Sequence, residues 1–243
     1  KPKGTIMKVA IIFIGTGRYI NFLPLYYENI HKYFLPKSEK TILAFTDGTG
    51  DFPDDIKVYH QEHLEWPYIT LKRFEIINKA KTFIKDFDWV VFIDADAIPV
   101  SEITEEEFFS DKPFFGVHHP CHALGMPPHT EYPGAFETNP KSRAHVTPDD
   151  DTTMYWQGCL WGGKVPAVFD MIDELEKRVN DDLKDDVIAQ WHDESQLNKF
   201  YIENKKDVHT LGPEYAFPEC FTDHCNFPQK IVHLAKENSK YHV

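Results

Sequence analysis

Four short stretches of this sequence carry residue types that do chemistry. The first is Asp94-Ala95-Asp96, at the end of the apolar run in "DWVVFIDADAIPV". If a strand continues through it, alternate residues face the same way and both carboxylates point at one spot. Two hard oxygen donors there suit Mn2+ or Mg2+, especially with phosphate oxygens completing the shell. A loop opening on two solvated acids is the plainer reading of the same residues. The second stretch is "WHDES", residues 191–195. Glu194 falls in the first turn of a helix, where the macrodipole and free N–H groups favour an ionised carboxylate. A nucleophile, or a stabiliser of developing positive charge, requires that form. The plainer reading makes Asp193 an N-cap and Glu194 an ordinary first-turn acid. The third is "TLKRFE", whose Arg73 can clamp a diphosphate through its planar fork, or lie with Lys72 on a solvated helix face. The fourth is "CLWGG", where Gly162 and Gly163 permit a close backbone approach or a tight turn.

These residues need a frame to hold them. "KVAIIFIGTGRY" reads as a buried strand running into a glycine-bearing turn at residues 15–17. "FLPLYYENIHKYF" reads as a helix with Phe22, Leu25, Asn29 and Tyr33 on one face. "TILAFTD" reads as a strand ending on Asp47. "TLKRFEIINKAKTFI" reads as one helix capped by Thr70, with Leu71, Phe74, Ile77 and Phe83 recurring near a 3.6 period. "WVVFIDAD" is the next strand. Continuous apolar strands alternating with amphipathic helices indicate an α/β domain with a mostly parallel sheet, and ligands of such sheets gather at the carboxyl edge. Residues 118–151 are rich in Pro, His, Asp and Gly without periodicity, which marks a functional or mobile loop. "TTMYWQGCLWGG" is strand-like. A helix follows with Val168, Met171, Ile172, Leu175 and Val179 on one face, and then the helix of "WHDESQLNKFYIEN", where Asp193 and Gln196 have capping-box spacing. "DVHTLGPEY" and "KIVHLA" suggest late strands. No repeat or linker interrupts residues 1–243, which read as one domain.

Composition narrows the class. The 243 residues are 42% hydrophobic and 14% aromatic, a globular composition. The formal charge of −13, from 26 basic and 39 acidic residues, argues against a nucleic-acid or anionic-membrane partner, though not against a local basic pocket. Cys121, Cys159, Cys220 and Cys225 form no CxxC, and a chain this long needs no staples, so free thiols in a reducing compartment are expected. Neither a membrane-spanning run nor a secretory signal is visible, so the expected location is cytoplasmic. Met7 reads as a natural start and residues 1–6 as an added remnant. Two phosphate-handling classes compete for Asp94-Ala95-Asp96. Dehalogenase-type phosphatases use the first Asp as a nucleophile, usually before Gly-Thr or Gly-Val, whereas here Ala97-Ile98-Pro99 follows. Nucleotide-sugar transferases use the pair to hold a metal that bridges both phosphates.

Taken in order, "FIGTGRYINFL", "FTD", "TLKRFEII", "FIDAD", "GVHHP", "YWQGCLWGG", "WHDESQLNKF" and "LGPEY" resemble glycosyltransferase family 6, from Lys8 to about Lys236. That family includes the histo-blood-group A and B transferases, α-1,3-galactosyltransferase and bacterial relatives. The resemblance implies a GT-A fold and transfer of galactose or N-acetylgalactosamine from a UDP-sugar to a glycan or other hydroxyl acceptor, with retention, through an α-1,3 linkage. It places Ile14, Gly15, Thr16 and Tyr19 at uridine, Arg73 at the donor, and Asp94 and Asp96 on the metal with Ala95 between them. His192, Asp193 and Glu194 fall at the donor sugar, His119 and Trp191 at the acceptor, and Lys236 on a tail closing over the diphosphate. Glu194 would act as transient nucleophile or electrostatic stabiliser, and Asp193 would bind sugar hydroxyls. Many bacterial members carry Asn-x-Asn and work without metal; this chain keeps both acids, so Mn2+ dependence is expected, with Mg2+ as the substitute. The triplet Gln157-Gly158-Cys159 falls where donor choice is set, and the Cys159 side chain favours UDP-galactose over N-acetylgalactosamine, with glucose still open. "CHALGMPPHTEYPGAF" matches the family poorly, which leaves the acceptor open. A UDP-sugar- or glycan-binding protein that has lost catalysis is the other class of reading.

Overall fold

The structure is a computed structural model, which describes residues 5–126 and 135–241. Residues 1–4 of the expected remnant and 127–134 of the unmatched acceptor segment lie outside the described residues. The strands are β1 (Lys8–Ile14), β2 (Glu39–Thr46), β3 (Ile56–His60), β4 (Trp89–Ile93), β5 (Ala97–Pro99), β6 (Phe114–His118), β7 (Trp156–Lys164), β8 (Val208–Leu211), β9 (Phe217–Pro218) and β10 (Ile231–His233). The helices are α1 (Leu23–Tyr33), α2 (Tyr68–Leu71), α3 (Arg73–Asn78), α4 (Lys81–Ile84), α5 (Glu105–Phe108), α6 (Pro120–Ala123), α7 (Ala167–Lys184), α8 (His192–Glu203) and α9 (Asn238–Tyr241), with short 3-10 turns between them.

Seven strands form one sheet in the order β3-β2-β1-β4-β7-β6-β8. β1, β2, β3 and β4 run parallel, β7 pairs antiparallel with β4 and β6, and β8 returns parallel to β6. The mixed α/β reading with a mostly parallel sheet is therefore what the chain adopts. Alternation along β1 divides the core. Ala10 and Ile12 pack with Leu43, Phe74, Phe92, Trp161 and the apolar stripe of α7. Val9, Ile11 and Phe13 pack on the other face with Tyr26 and Ile30 of α1. The α7 stripe of Val168, Met171, Ile172, Leu175 and Val179 is buried as its spacing predicted.

Three local expectations are corrected. α1 buries Leu23, Tyr26 and Ile30, while Leu25 is 45% exposed. The 3.6 period was right but the face was one residue off, because Pro24 at the first turn and the Tyr26 hydroxyl, donating to Ile12 O and Ile93 O, set the helix rotation. The helix read through residues 70–84 is three short pieces, α2, α3 and α4. Thr70 does not cap it. It lies inside α2, where its hydroxyl donates to Pro67 O (2.8 Å), and Phe83 is 40% exposed. Finally, β4 ends at Ile93, so Asp94, Ala95 and Asp96 occupy a turn closed by Ala97 N–H to Asp94 O (2.9 Å) rather than a continuing strand.

A second, three-stranded sheet, β5-β10-β9, follows that turn. β10 runs antiparallel to β5 with His233 opposite Ala97 and brings the C-terminal chain back over Asp96. β7 threads close to its neighbours because it carries glycines. A Cβ on Gly162 would stand 2.0 Å from Val90 O and 2.8 Å from the Phe115 ring. The pair in "CLWGG" thus serves close approach within a strand rather than a turn. Gly162→Ala must push the β4 backbone away, and a destabilisation of at least about 1–3 kcal/mol is expected. The urea-unfolding midpoint checks it, and a wild-type value would show that β7 has slack at this point.

Candidate active site

The site forms where β1, β2 and β4 present their carboxyl ends and β7 begins. α3 opens at Arg73, whose guanidinium lies over the Phe92 ring at 4.9 Å. Its Nη2 donates to both oxygens of Asp94 (3.0 and 3.1 Å), and its Nη1 donates to Asp193 Oδ2 (3.0 Å). Desolvation opposes the Arg73 charge, but Asp193 and Asp94 hold it protonated more firmly than a free arginine. Burial pushes the Asp193 carboxyl up to about 6, against the pull of Arg73. Lys72, by contrast, sits on the surface beside Glu75.

Glu194 sits in the first turn of α8, but the form it favours differs from the expectation. Burial pushes its carboxyl up to about 7, although two donors work the other way. Those donors are the Tyr155 hydroxyl to Oε1 and the Gly158 N–H to Oε2, each at 2.7 Å. Desolvation of a carboxylate outweighs one helix terminus. The capping box is also absent. Trp191 occupies the N-cap position, Asp193 turns to Arg73, and the Gln196 amide donates to Asp182 Oδ2 (2.8 Å). His192 adopts a left-handed backbone (φ 51), strained for a residue with a Cβ. Its Nδ1 lies 3.3 Å from Thr70 Oγ1, and its ring meets Trp66 edge-on at 4.9 Å.

Asp96 is 1% exposed and lies beneath two residues of the returning C-terminal chain. His233 Nε2 is 3.2 Å from Oδ1, and Lys236 Nζ donates to Oδ2. Burial alone would raise the Asp96 carboxyl, yet His233 and Lys236 hold it well below the usual carboxylate range. Burial lowers the His233 imidazole, and Asp96 reverses that and raises it. Asp94, Asp96 and His233 each offer one ligand atom within 4.8 Å of the others. The sequence reading missed His233, since a lone His in "KIVHLA" carries no spacing to Asp96.

Two adjoining cavities share Thr70, Arg73, Asp94 and His233 and so make one cleft. The first, about 160 Å3, is lined by Ile14, Thr16, Tyr19 and Lys236 as expected, together with His63, Leu64, Trp66, Ile69 and Tyr241. The second, about 180 Å3, is lined by Gln157, Gly158, Cys159, Trp191, His192, Asp193 and Glu194. Gly15 lies between Ile14 and Thr16, with its N–H donating to Phe45 O (3.0 Å). Four expected residues, Gly15, Ala95, Asp96 and His119, are not among those that line the cleft. Ala95 is fully buried in the core on the α1 face. His119 is 2% exposed, and burial first, then nearby imidazoles, push it down to about 3. Its ring packs edge-on against Tyr155 at 5.6 Å, the residue whose hydroxyl donates to Glu194. The density of aromatic and His residues in "HQEHLEWPY" was the available signal for the missed wall of the first cavity; Tyr241 had none.

The sequence profile described as "Glycosyltransferase family 6" matches residues 3–242. The chain belongs to glycosyltransferase family 6. The O-antigen biosynthesis glycosyltransferase WbnI of Escherichia coli is 28% identical over 239 residues, covering 97% of this chain and 98% of that protein. Histo-blood group ABO system transferase 1 of Rattus norvegicus is 25% identical over 237 residues, 93% of this chain and 66% of that protein. Globoside alpha-1,3-N-acetylgalactosaminyltransferase 1 of Homo sapiens is 23% identical over 226 residues, 88% of this chain and 62% of that protein. Membership makes the protein a transferase with a nucleotide-sugar donor and a glycan acceptor, and the phosphatase reading falls with it. Among the described residues, no helix is long and apolar enough to cross a membrane. All four cysteines are free thiols.

Arg73 supports this family 6 site by neutralising two carboxylates from different elements. Arg73→Met strands both, and a loss of about 3–5 kcal/mol is expected. Thermal unfolding near pH 7.5 reads it, and a loss below about 1 kcal/mol would show that the two acids do not depend on the guanidinium.

Proposed function

We propose that this transferase moves galactose from UDP-galactose to a glycan hydroxyl, with retention at the anomeric carbon, and that it depends on Mn2+. N-acetylgalactosamine is the second donor sugar in this reading. The α-1,3 linkage is taken from the name of the globoside relative. One observation carries the proposal: Asp193 and Glu194 share a cleft with Arg73, Asp94 and His233, so two acids, a cation and two of the three grouped metal-ligand candidates face one small volume.

The residues fit a divalent cation. Asp94 and Asp96 supply hard oxygens, and Asp94, Asp96 and Asp193 outnumber the permanent cations Arg73 and Lys236 that contact them. A cation held by Asp94 and Asp96 supplies Lewis-acid charge that offsets the negative charge appearing on UDP. Ile14, Thr16 and Tyr19 flank the nucleoside, with Trp66 closing the opposite wall. Arg73 and Lys236 bind diphosphate oxygens. Asp193, oriented by Arg73, accepts hydrogen bonds from donor-sugar hydroxyls. Glu194 faces the anomeric carbon and opposes its oxocarbenium charge, as a carboxylate does in retaining glycosidases. The Tyr155 hydroxyl and Gly158 N–H hold both Glu194 oxygens, so its aim is set before the substrate arrives. Trp191 flanks the acceptor, and His119 supports Tyr155 from behind.

Glu194→Gln tests the central role. Transfer should fall by orders of magnitude while UDP still binds, measured by sugar release and calorimetry. Near-wild-type turnover removes Glu194 from the mechanism. Because the ionised form acts, kcat/KM should rise with pH through about 7. Stability runs the other way. The folded-state carboxyl lies above its ordinary value of 4.5, so the native state binds more protons and loses stability as pH rises from 4.5 to about 7. Glu194→Gln should flatten that part of the Tm-versus-pH curve. A kcat/KM profile flat from about pH 5 to 8 contradicts an ionised Glu194.

Donor choice has its own test. Cys159 lines the second cavity beside Gly158. Cys159→Gly should shift the ratio of UDP-N-acetylgalactosamine to UDP-galactose use by about tenfold or more, read by product chromatography. An unchanged ratio would place donor discrimination elsewhere.

A further inference from the structure

We propose that His233 is a third ligand of the metal site, bound through Nε2, and that Gln157 sets the tautomer this requires. The inference rests on the metal reading of Asp94 and Asp96 and adds to it a nitrogen donor and a residue that orients it.

Distance supports the assignment. Adjacent donors around an octahedral ion, each about 2.1 Å from it, stand about 3 Å apart, and opposite donors about 4.2 Å apart. His233 Nε2 lies 3.2 Å from Asp96 Oδ1, close to the spacing of adjacent donors. The full set of Asp94, Asp96 and His233 spans no more than 4.8 Å, so small side-chain movements bring all three onto one ion. The backbone delivers this proximity. His233 pairs with Ala97 in the register of β10 and β5, and the next residue, Leu234, donates its N–H to Asp96 O (2.9 Å). The imidazole therefore stands beside Asp96 because two strands are locked together.

The other ring nitrogen supplies the second observation. His233 Nδ1 lies 3.3 Å from the Gln157 amide nitrogen. The oxygen of that amide, Gln157 Oε1, is buried and has no hydrogen-bond partner among the described residues. A half-turn of the amide, the two ends of which are nearly isosteric, puts Oε1 against Nδ1. Nδ1–H then donates to Oε1, the amide NH2 takes the place the oxygen left, and Nε2 turns a lone pair toward Asp94 and Asp96. Metal-binding imidazoles are commonly held this way, with the second nitrogen donating to a fixed acceptor. An imidazole in the set also carries a chemical consequence. Mg2+ is served by oxygen donors, whereas affinity for sites that include a nitrogen donor rises along the first-row transition metals from Mn2+ onward. The site should therefore discriminate against Mg2+, and Gln157 should govern metal affinity as well as donor contacts.

The test uses Mn2+ on the full protein, with and without UDP. Electron spin-echo spectroscopy of bound Mn2+ should show coupling to a directly bound imidazole nitrogen, and that signal should change isotope pattern when only the histidines carry 15N. It should vanish in His233→Ala. Titration should show His233→Ala weakening Mn2+ by about 10–100-fold and Mg2+ far less, with Gln157→Leu near the lower end of that range for Mn2+. If wild type binds Mn2+, Asp96→Asn abolishes that binding, and no histidine nitrogen couples, the proposal is overturned while the carboxylate metal site stands. If wild type binds no Mn2+ in the presence of UDP, the metal reading itself fails and takes the proposal with it. If His233→Ala does not fold, a wild-type spectrum without histidine coupling still overturns the proposal, and loss of that coupling in His233→Gln supports it.

Discussion

The guanidinium of Arg73, held between Asp94 and Asp193, is the contact on which the architecture of the site depends. It joins the end of β4 to the start of α8, elements about a hundred positions apart in the chain. Neither carboxylate is tolerable alone in these surroundings, since an unpaired buried charge costs several kcal/mol. The three residues therefore bury together or not at all. Arg73 is the first residue of α3, one position past the end of α2, and this places its guanidinium between the two carboxylates.

The same contact separates the two neighbouring acids. Asp193 has a cation, and Glu194 has neutral donors only. Burial raises both, but for Glu194 no permanent cation contacts the carboxylate to offset it. What holds Glu194 is shape. Gly158 lacks a Cβ, and one added there would lie 3.2 Å from the Glu194 Cβ. That vacancy lets α8 press against β7 closely enough for the peptide N–H to reach Oε2. Tyr155 is held in turn by the segment before β7, which is pinned rather than loose. Glu137 accepts the N–H groups of Asn139 and Gln190 (2.7 and 2.5 Å). Asp182 accepts from Ser142, Arg143 and Gln196. The described part of a stretch that reads as irregular in the sequence is thus anchored to α7 and to the entry of α8 by buried acids.

Much of this was legible before the structure. β1, β2, β4 and the α7 stripe follow from continuous apolar runs and a clean period, because each buries one or both faces and nothing else competes. Of the cleft, Ile14, Thr16, Tyr19, Arg73, Asp94, Lys236 and the residues from β7 and the start of α8 were legible as motifs, whereas His63, Leu64, Trp66, Ile69, His233 and Tyr241 were not. What was hidden depends on long-range pairing. β5 and β10 are three residues each, too short for any period, and exist because they pair with each other across more than a hundred positions. His233 was invisible for that reason. Asp193 and Gln196 had the spacing of a cap, but each found a stronger tertiary partner, an arginine and a buried aspartate. The ionised Glu194 expected from a helix N-terminus was a local argument, and burial is a global quantity that local spacing does not encode.

The C-terminal chain completes both halves of the cleft, which makes its closure and its electrostatics one event. Residues 231–236 bring His233 and Lys236 onto Asp96. The Lys236 ammonium also lies 5.4 Å from the Tyr19 ring, and Tyr241 packs on Tyr19 and Phe22 at 5.1 and 5.5 Å. Tyr19, Lys236 and Tyr241 then form part of the wall of the first cavity. Closing so long a loop adds little entropy cost beyond that of a shorter one, because the cost grows only with the logarithm of length. Asp96 is 1% exposed with the tail seated, so His233 and Lys236 both cover its carboxylate and supply its partners. The seated tail thus presents Lys236 both to Asp96 and to the wall of the first cavity. A change at either end of the 96–236 contact must therefore reach the wall of the first cavity as well as the turn that carries Asp94 and Asp96.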